Sequence, residues 1–157
     1  MNITILVVGK TTEEFVKIGV LKYYERLQHY INIKQIDINE LKDKKSFTPS
    51  QIKEKETVAI LQQIPKASAV VLLDENGLQF TSGEFALFMQ KLMNKGGKDL
   101  CFIIGGAFGV SEELKKNADH IISLSKMTFT HQFVRIVLAE QIYRAFTILR
   151  NEPYHNE

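Results

Sequence analysis

The sequence centres on the stretch LCFIIGGAFG at residues 100–109, where five apolar residues precede a glycine-rich turn. A short, continuous apolar run bounded by turn residues is typical of a strand that is buried on both faces. Strands of this kind occur in parallel sheets, because the crossover helices of such a sheet cover both of its faces. Residues 100–104 therefore predict one buried strand of an α/β fold.

Apolar runs of strand length recur on both sides of this stretch and alternate with segments of helical period. The order of strand followed by helix occurs five times, which predicts a mostly parallel sheet with helices on both faces. The chain has no internal repeat, no low-complexity segment and no linker, so we expect a single domain over residues 1–157. The other predicted strands lie at residues 3–8, 31–38, 69–73 and 120–124.

Short local patterns predict where helices begin and where other elements are interrupted. A threonine followed three positions later by Glu or Gln is typical of a capped helix start. Two glycine-containing dipeptides predict interruptions, Asn76-Gly77 as a turn after the third strand and Gly96-Gly97 as the end of the third helix. The predicted helix starts are Thr11 with Glu14, Thr48 with Pro49 and Gln51, and Thr81 with Glu84.

The composition limits the class of protein. Apolar residues make up 45% of the 157 positions and the net charge is only +2, which excludes a disordered chain. Twenty Lys and Arg residues against 18 Asp and Glu also exclude a non-specific nucleic-acid binder, since such binding scales with the number of cations. A nucleic-acid substrate is not excluded by this balance.

The sequence also predicts neither a membrane anchor nor a metal site. No apolar run is long enough to span a bilayer, and the first residues lack the basic start of a signal peptide. Cys101, the one cysteine, cannot form an internal disulfide, and we expect it to be a buried core residue of a cytoplasmic protein. The four histidines show no metal-ligand spacing, and hydrolase motifs are absent.

Ligands of open parallel sheets bind beyond the carboxyl ends of the strands. The first such loop, Gly9-Lys10-Thr11, lacks the three-glycine pattern and the P-loop spacing, so an ordinary dinucleotide site is disfavoured. The glycine-rich turn instead follows the fourth strand, where Gly105, Gly106 and Gly109 let backbone N–H groups approach a ligand closely. A tight turn without a ligand is an equally good interpretation of this motif.

Residues 123–131 join the fifth strand to the last helix and mix hydroxyl groups with large apolar side chains. The hydroxyl and N–H groups can hold the polar parts of a small molecule, while Leu124, Met127 and Phe129 cover its flat part. The alternative is the start of a helix with Thr128 or Thr130 as its cap, and the two interpretations are compatible.

The last helix, over residues 133–149, carries apolar residues nearly all round. A helix that is apolar on two faces is buried on both, so we expect its second face to meet another subunit in a two-fold dimer. Its charged residues are few, namely Arg135 and the i,i+4 pair of Glu140 with Arg144, for which a structural role is one interpretation.

Three further polar residues flank this helix. His131 lies at its start, where a hydrogen-bonded structural role is the simpler interpretation and catalysis the alternative. Tyr154 and His155 lie close to the end of the chain, where side chains are often frayed. The alternative is that this pair stacks on a nucleic-acid base and hydrogen-bonds to it.

Taken together, these motifs resemble the ribosomal RNA large subunit methyltransferase H family. The resemblance covers essentially the whole chain, and the combination is specific although no single motif is. The motifs are Leu73-Asp74, residues 102–109, Ser123-Leu124-Ser125 with Thr128 and His131, Val134-Arg135, Ala139-Glu140-Gln141, Tyr143-Arg144-Ala145 and Pro153-Tyr154-His155.

The resemblance implies a SPOUT-type α/β fold with a C-terminal trefoil knot, a homodimer, and S-adenosylmethionine as methyl donor. It also implies the product, N3-methylpseudouridine in helix 69 of 23S rRNA, made on assembled ribosomes. The cofactor-binding residues that it implies are Leu73, Gly105, Gly106, Leu124, Ser125, Lys126, Met127, Thr128, Phe129 and Thr130.

Methylation of a pseudouridine N3 requires that this nitrogen lose its proton, so a base or hydrogen-bonding partner is expected. Three residues are candidates for the base, and two arginines are candidates for stabilising the anionic ring or for holding phosphate. The candidate bases are His131, His155 and Glu140, the arginines are Arg135 and Arg144, and Tyr154 completes the set.

Asn156 departs from the resemblance, because a basic residue is expected after Tyr154-His155. If the tail holds RNA phosphate, Arg144 or Arg150 can supply that contact. Two other classes of protein stay open. One is a non-enzymatic nucleotide- or RNA-binding α/β module, and the other is a flavodoxin-like signalling domain that would use Asp74.

The near-neutral charge also bears on the form of the substrate. A chain with a net charge of +2 has little non-specific electrostatic affinity with which to hold a free RNA hairpin. Recognition should then depend on shape and on a preassembled ribosomal surface. We therefore expect assembled ribosomes to be methylated much faster than naked 23S rRNA.

Overall fold

The computed structural model describes residues 1–95 and 99–156. Strands and helices alternate along the chain, in the order that the apolar runs predict. The strands are β1 (Asn2–Val8), β2 (Asn32–Ile38), β3 (Ala69–Gln79), β4 (Leu100–Ile104) and β5 (His120–Ser123). The helices are α1 (Glu14–Leu27), α2 (Pro49–Leu61), α3 (Ser82–Asn94), α4 (Glu112–Lys116) and α5 (Val134–Leu149), with a 3-10 turn at Lys44–Ser46.

The five strands form one sheet in the order β2-β1-β4-β3-β5, and every pairing in it is parallel. The prediction of a parallel α/β sheet is therefore confirmed. β4 lies between β1 and β3, with Leu100 in register with Ile3 on one side and Ala69 on the other. Because the strands are parallel, the loops that follow them emerge at one edge of the sheet.

Helices cover both faces of the sheet, and β4 contributes to a hydrophobic core on each face. Phe102 and Ile104 pack into the core under α1, α3 and α5, whereas Cys101 and Ile103 pack into the core under α2 and α4. This two-sided burial explains why the run at residues 100–104 is continuously apolar. Cys101 is fully buried as predicted, and burial raises the pKa of its thiol to about 12.

Two of the three predicted helix caps are present. Thr48 accepts a hydrogen bond from the Gln51 N–H, and Thr81 accepts one from the Glu84 N–H, each at 3.2 Å and each within a complete capping box. The cap predicted at Thr11 is wrong, because α1 begins at Glu14 without any side-chain cap. The Thr11 hydroxyl instead accepts a hydrogen bond from α5, far away along the chain.

The turn predicted at Asn76-Gly77 falls inside β3, which continues to Gln79, but it coincides with an interruption of the strand pairing. Leu73 and Leu78 both pair with Ile122, and the Asn76 N–H donates to Asp74 Oδ1 at 3.0 Å. β3 pairs with β5 on both sides of a register shift between Leu73 and Leu78. A Cβ atom on Gly77 would lie only 2.7 Å from the Cα of Ile122, so glycine permits close approach of the two strands at this irregularity. The other predicted interruption, Gly96-Gly97, lies outside the described residues.

Apolar surface stays partly open along α5 and on α1. α5 packs against α1 and α3, and Ile142 is fully buried between them. Ile136 and Val137 of the same helix are only half-buried. The expectation that a second face of α5 meets another subunit therefore stays a prediction. The exposed apolar side chains include Phe15, Ile18 and Leu21 of α1, together with Phe133.

Candidate active site

A cavity of about 570 Å³ opens at the edge of the sheet where the parallel strands end. Its volume lies within the range of small-molecule sites. It is bounded by the three connections singled out in the sequence, those that follow Leu73, Ile104 and Leu124. The lining residues are 73–75 of β3, 104–110 after β4, 122–125 and 127–131 from β5 onward, and Val134.

The glycine-rich turn forms one wall of this cavity. The Gly109 N–H donates a 3.1 Å hydrogen bond to the Gly106 carbonyl, which closes the turn. Gly109 has a φ of +82°, a conformation that residues with a Cβ rarely adopt. A Cβ on Gly105 would lie 2.6 Å from Val110, and one on Gly106 would collide with the Glu56 carboxyl group. The turn therefore exposes backbone to the cavity and requires glycine on steric grounds.

The loop from Ser123 to Thr130 forms the opposite wall. The Ser123 hydroxyl donates to the Ser125 carbonyl at 2.8 Å, and the Ser125 hydroxyl accepts from the Met127 N–H at 2.9 Å. Thr130 accepts a 3.1 Å hydrogen bond from the Phe133 N–H in the turn that leads into α5. α5 itself begins at Val134 without a side-chain cap, so the predicted cap at Thr128 or Thr130 is wrong. The loop nevertheless lines the cavity and leads into the helix.

The candidate cofactor residues converge on this cavity with one exception. The cavity is lined by Leu73, by Gly105 and Gly106, and by the loop, whereas Lys126 does not line it. Met127 lines the cavity but is 78% exposed. Sequence reasoning did not single out Phe108 as a lining residue, although it lies within the glycine-rich motif.

His131 is the one candidate catalytic residue that lines the cavity. Burial and the positive charge of Arg135 lower the pKa of its imidazole, while Glu40 opposes that shift. The neutral form is therefore favoured at neutral pH. A neutral imidazole can accept a proton, which is what a base at this position requires.

Arg135 lies behind His131 and is almost fully buried, with 1% of its surface exposed. Its Nη2 donates to the Val8 carbonyl and its Nη1 to the Thr11 hydroxyl, both at 2.8 Å. Its Nε donates to the His131 carbonyl at 3.1 Å. In these three hydrogen bonds the guanidinium donates to groups of the same chain. The geometry therefore supports a positioning role for Arg135 rather than contact with a substrate.

The other four candidate catalytic residues form a second group, here called the tail cluster. Glu140 accepts hydrogen bonds from Arg144 Nε at 3.0 Å and from the Tyr154 hydroxyl at 3.1 Å. Arg144 Nη1 lies 3.1 Å from His155 Nδ1. Burial and hydrogen bonds to Tyr23 and Glu140 raise the pKa of the Tyr154 hydroxyl. The C-terminal tail is therefore docked against α5 rather than frayed.

The tail cluster lies apart from the cavity within one chain. Val134, which lines the cavity, and Arg144 are ten residues apart on α5, or about 15 Å along the helix axis at 1.5 Å per residue. The six candidates therefore do not meet at one point. The ring of Tyr143 packs 4.8 Å from that of Tyr154. Tyr143 belongs to one of the quoted motifs but is not among the candidate site residues, since its apolar neighbours make it look like a core residue.

Within residues 1–95 and 99–156, no group of three or more His, Cys, Asp or Glu side chains could hold a metal ion. No helix in that part of the chain is long and apolar enough to cross a membrane. The groups that line the cavity are backbone amides, hydroxyl groups, the carboxyl groups of Asp74 and Glu75, and the His131 imidazole.

Comparison with known proteins identifies the family. The family described as "Predicted SPOUT methyltransferase" matches residues 1–155. The ribosomal RNA large subunit methyltransferase H of Christiangramia forsetii is 50% identical over 156 residues, covering 99% of both chains. The chain belongs to the ribosomal RNA large subunit methyltransferase H family. The resemblance on which the sequence prediction rests is therefore confirmed.

Other members of the family are similar over the same extent. The proteins of that name from Geobacter sulfurreducens and Bacteroides fragilis strain YCH46 are 44% and 46% identical, and each is matched over 100% of its length. This chain is covered to 99% and 100% respectively. The family relationship therefore extends across the glycine-rich turn, the cavity loop and the tail.

Solved structures support the fold alone. A probable methylase family protein from Haemophilus influenzae Rd KW20 superposes with a TM-score of 0.56 at 12% identity, covering 96% of this chain and 66% of that one. The ribosomal RNA small subunit methyltransferase E of Neisseria gonorrhoeae, solved bound to S-adenosyl methionine, gives 0.53 at 9% identity, with coverages of 95% and 66%. The predicted SPOUT-type α/β fold is confirmed, and its trefoil knot stays a prediction.

Proposed function

We propose that this protein methylates N3 of a pseudouridine in helix 69 of 23S rRNA, using S-adenosylmethionine, on assembled ribosomes. One observation carries the proposal. The cavity beyond β3, β4 and β5 is lined by motifs on which the resemblance to ribosomal RNA large subunit methyltransferases H rests, and a relative of that name matches 99% of this chain. The near-neutral charge supports a structured ribosomal surface as the substrate. We accordingly assign the protein to the cytoplasm.

The cavity fits S-adenosylmethionine in both size and chemistry. Its volume of about 570 Å³ suits a ligand of nucleoside size, and Gly105 and Gly106 leave backbone groups open to it. Ser125 and Thr128 supply hydroxyl groups, and further lining residues are apolar. We assign no contact to Lys126. The residues proposed to hold the cofactor are Leu73, Gly105, Gly106, Leu124, Ser125, Met127, Thr128, Phe129 and Thr130.

The chain itself has to align the reactants, exclude water and take up a proton. S-adenosylmethionine supplies a methyl group that is already activated, so the protein's contribution is mainly alignment. We assign His131 as the base that accepts the N3 proton of the pseudouridine, because it lines the cavity and its neutral form is favoured. Arg135 holds the His131 backbone and thereby positions the ring.

We assign RNA contact to the tail cluster and propose that it acts from the second subunit of a homodimer. Within one chain the cluster lies too far along α5 to share a ligand with His131. The exposed apolar side chains of Phe15, Ile18 and Phe133 form a continuous surface, with the rings of Phe15 and Phe133 6.3 Å apart, that would be covered in a dimer. We propose a two-fold axis at this surface, which would bring one subunit's tail cluster to the other subunit's cavity. The trefoil knot belongs to the same proposal and has its support in family membership.

Two measurements separate this enzyme from a non-enzymatic binding module. Calorimetry should detect binding of S-adenosylmethionine and no binding of ATP, FMN or acetyl phosphate. Ribosomes that lack the modification should then acquire a labelled methyl group, which nucleoside mass spectrometry would locate on the helix 69 pseudouridine. Binding without transfer would favour the module, and binding of FMN or acetyl phosphate would favour a signalling domain.

A further inference from the structure

A buried carboxyl group lies behind the glycine-rich turn. Glu56 is on α2, is not among the residues that line the cavity, and has only 4% of its surface exposed. A Cβ on Gly106 would lie 2.7 and 2.9 Å from the two Glu56 carboxyl oxygens. The Glu56 side chain therefore occupies the space that any side chain at position 106 would need.

The surroundings of Glu56 do not pair its charge. Among the residues that the structure describes, none forms a hydrogen bond or ion pair with this carboxyl group. No fully buried side-chain oxygen in that part of the chain lacks a partner, so the carboxyl oxygens keep some contact with solvent. Lys44, the nearby cation, is paired with Glu40 at 2.8 Å. Burial raises the pKa of Glu56, with Lys44 opposing and Glu40 reinforcing the shift. The neutral carboxyl form therefore persists to higher pH than in an ordinary glutamate, because removing a charge from water is costly.

The neighbouring residue on α2 fixes the far end of the same turn. Thr57 is fully buried, and its hydroxyl lies 2.6 Å from the Ser111 hydroxyl. Ser111 in turn caps α4 by accepting a hydrogen bond from the Leu114 N–H at 3.1 Å. Two consecutive residues of α2 therefore touch the two ends of the segment that forms the glycine wall of the cavity.

We propose that Glu56 is a positioning residue, whose carboxyl group packs against Gly106 and sets how far the glycine turn projects into the cofactor cavity. The role of the cavity rests on the function proposed above. The contact between Glu56 and Gly106 does not depend on that function, because it exists in the protein without ligand. The carboxyl group fills the space left by the missing Cβ, and its burial there costs less in the protonated form than in the charged form.

A double-mutant cycle tests the contact directly. With Glu56 present, Gly106→Ala should lower the equilibrium constant for folding in urea titrations by about tenfold or more, because the new methyl group collides with the carboxyl group. In the Glu56→Ala background the same change should cost much less, since the space is then open. The contact is refuted if Gly106→Ala costs the same in both backgrounds.

Ligand binding tests the positioning role. Calorimetry with S-adenosylhomocysteine should show wild-type affinity falling as pH rises through the raised pKa of Glu56, as an unpaired buried charge forms under the turn. Glu56→Gln stays neutral, so the part of the profile due to Glu56 should vanish, while the contributions of Lys44, Glu40 and His131 remain. Glu54→Gln, the same change at an exposed position of α2, is the matched control and should follow the wild type.

The proposed function and the positioning role of Glu56 can be refuted separately. If wild-type protein does not bind S-adenosylhomocysteine, the proposed function fails while the urea cycle still decides the contact. If the wild type binds but Glu56→Gln has an unchanged pH profile, Glu56 has no positioning role and the proposed function stands. An increase in KM for S-adenosylmethionine with unchanged kcat in Glu56→Ala would support the role, since the turn holds the cofactor rather than the RNA.

Discussion

Arg135 Nη2 donates a 2.8 Å hydrogen bond to the carbonyl oxygen of Val8, which joins the start of α5 to the end of β1. The two residues are 127 positions apart in the sequence. The same guanidinium also holds the backbone of His131, at the rim of the cavity. A single buried cation therefore connects the closing helix, the first strand and the candidate base.

Removing Arg135 should destabilise the fold substantially. Arg135→Ala deletes three charged hydrogen bonds and leaves the buried Val8 carbonyl without a partner, so we expect a loss of about 3 kcal/mol in the free energy of unfolding. Urea denaturation measures it. Arg150→Ala, at an exposed position where the arginine lies over the Tyr30 ring, should cost less than about 1 kcal/mol. Equal losses in the free energy of unfolding for the two variants would show that Arg135 has no special role in stability.

The pH dependence of turnover should report His131. Its pKa is lowered by burial and by Arg135, so the neutral base should persist below the ordinary histidine pKa and activity should fall only at more acidic pH. His131→Asn should lose most of its activity and with it the acid limb of kcat. A variant that keeps both the turnover and the limb would exclude His131 as the base.

The same shift predicts how His131 affects stability. A depressed histidine pKa means that the folded protein disfavours the imidazolium ion. His131 therefore has no effect on the pH dependence of stability above the pKa that it has in the unfolded chain. As the pH falls below that pKa, protonation of His131 destabilises the fold. Urea midpoints measured down the acid range should decline less steeply for His131→Asn than for the wild type. Parallel declines would contradict this prediction.

The apolar surface on α1 should hold the dimer together. Phe15→Glu places a charge on a side chain that is 57% exposed in the single chain, so it should dissociate the dimer without unfolding it. Light scattering gives the mass. Val58→Glu, on the exposed surface of α2, is the control and should leave the dimer intact. A monomeric wild type would refute the dimer, whereas Ile142→Glu is uninformative because Ile142 lies in the core.

Mixing two inactive variants tests whether the tail cluster acts across the dimer. His131→Ala and Arg144→Ala should each be nearly inactive alone. After subunit exchange we expect about a quarter of wild-type activity, because half of the dimers are mixed and each of those has one intact composite site. No recovery after confirmed exchange would mean that both residues serve the same subunit's site or that one is dispensable.

The sequence predicts most of the fold because the relevant signals are local or strongly apolar. The β4 run is buried on both faces, and the caps at Thr48 and Thr81 depend on residues three positions away. The cap at Thr11 failed because its hydroxyl pairs with Arg135, 124 residues later. Asn76-Gly77 correctly marks an interruption, but local sequence does not reveal that it lies within a longer strand, where Gly77 permits close approach to β5.

The site is less predictable than the fold, because it depends on contacts between residues that are far apart in the sequence. The cavity loop and glycine turn could be found from motifs at strand ends, and His131 is placed beside them. Glu56 looks like one more charged residue in a lysine- and glutamate-rich helix, and only the fold buries it under Gly106. The separation of His131 from the tail cluster depends likewise on the direction of α5.

The most direct test of the central claim is the initial rate of methyl transfer to assembled ribosomes compared with naked 23S rRNA, with the product nucleoside identified. We predict that assembled ribosomes react much faster and that the label lies on N3 of a helix 69 pseudouridine. Equal rates on both substrates, or a label at any other position, would contradict the account.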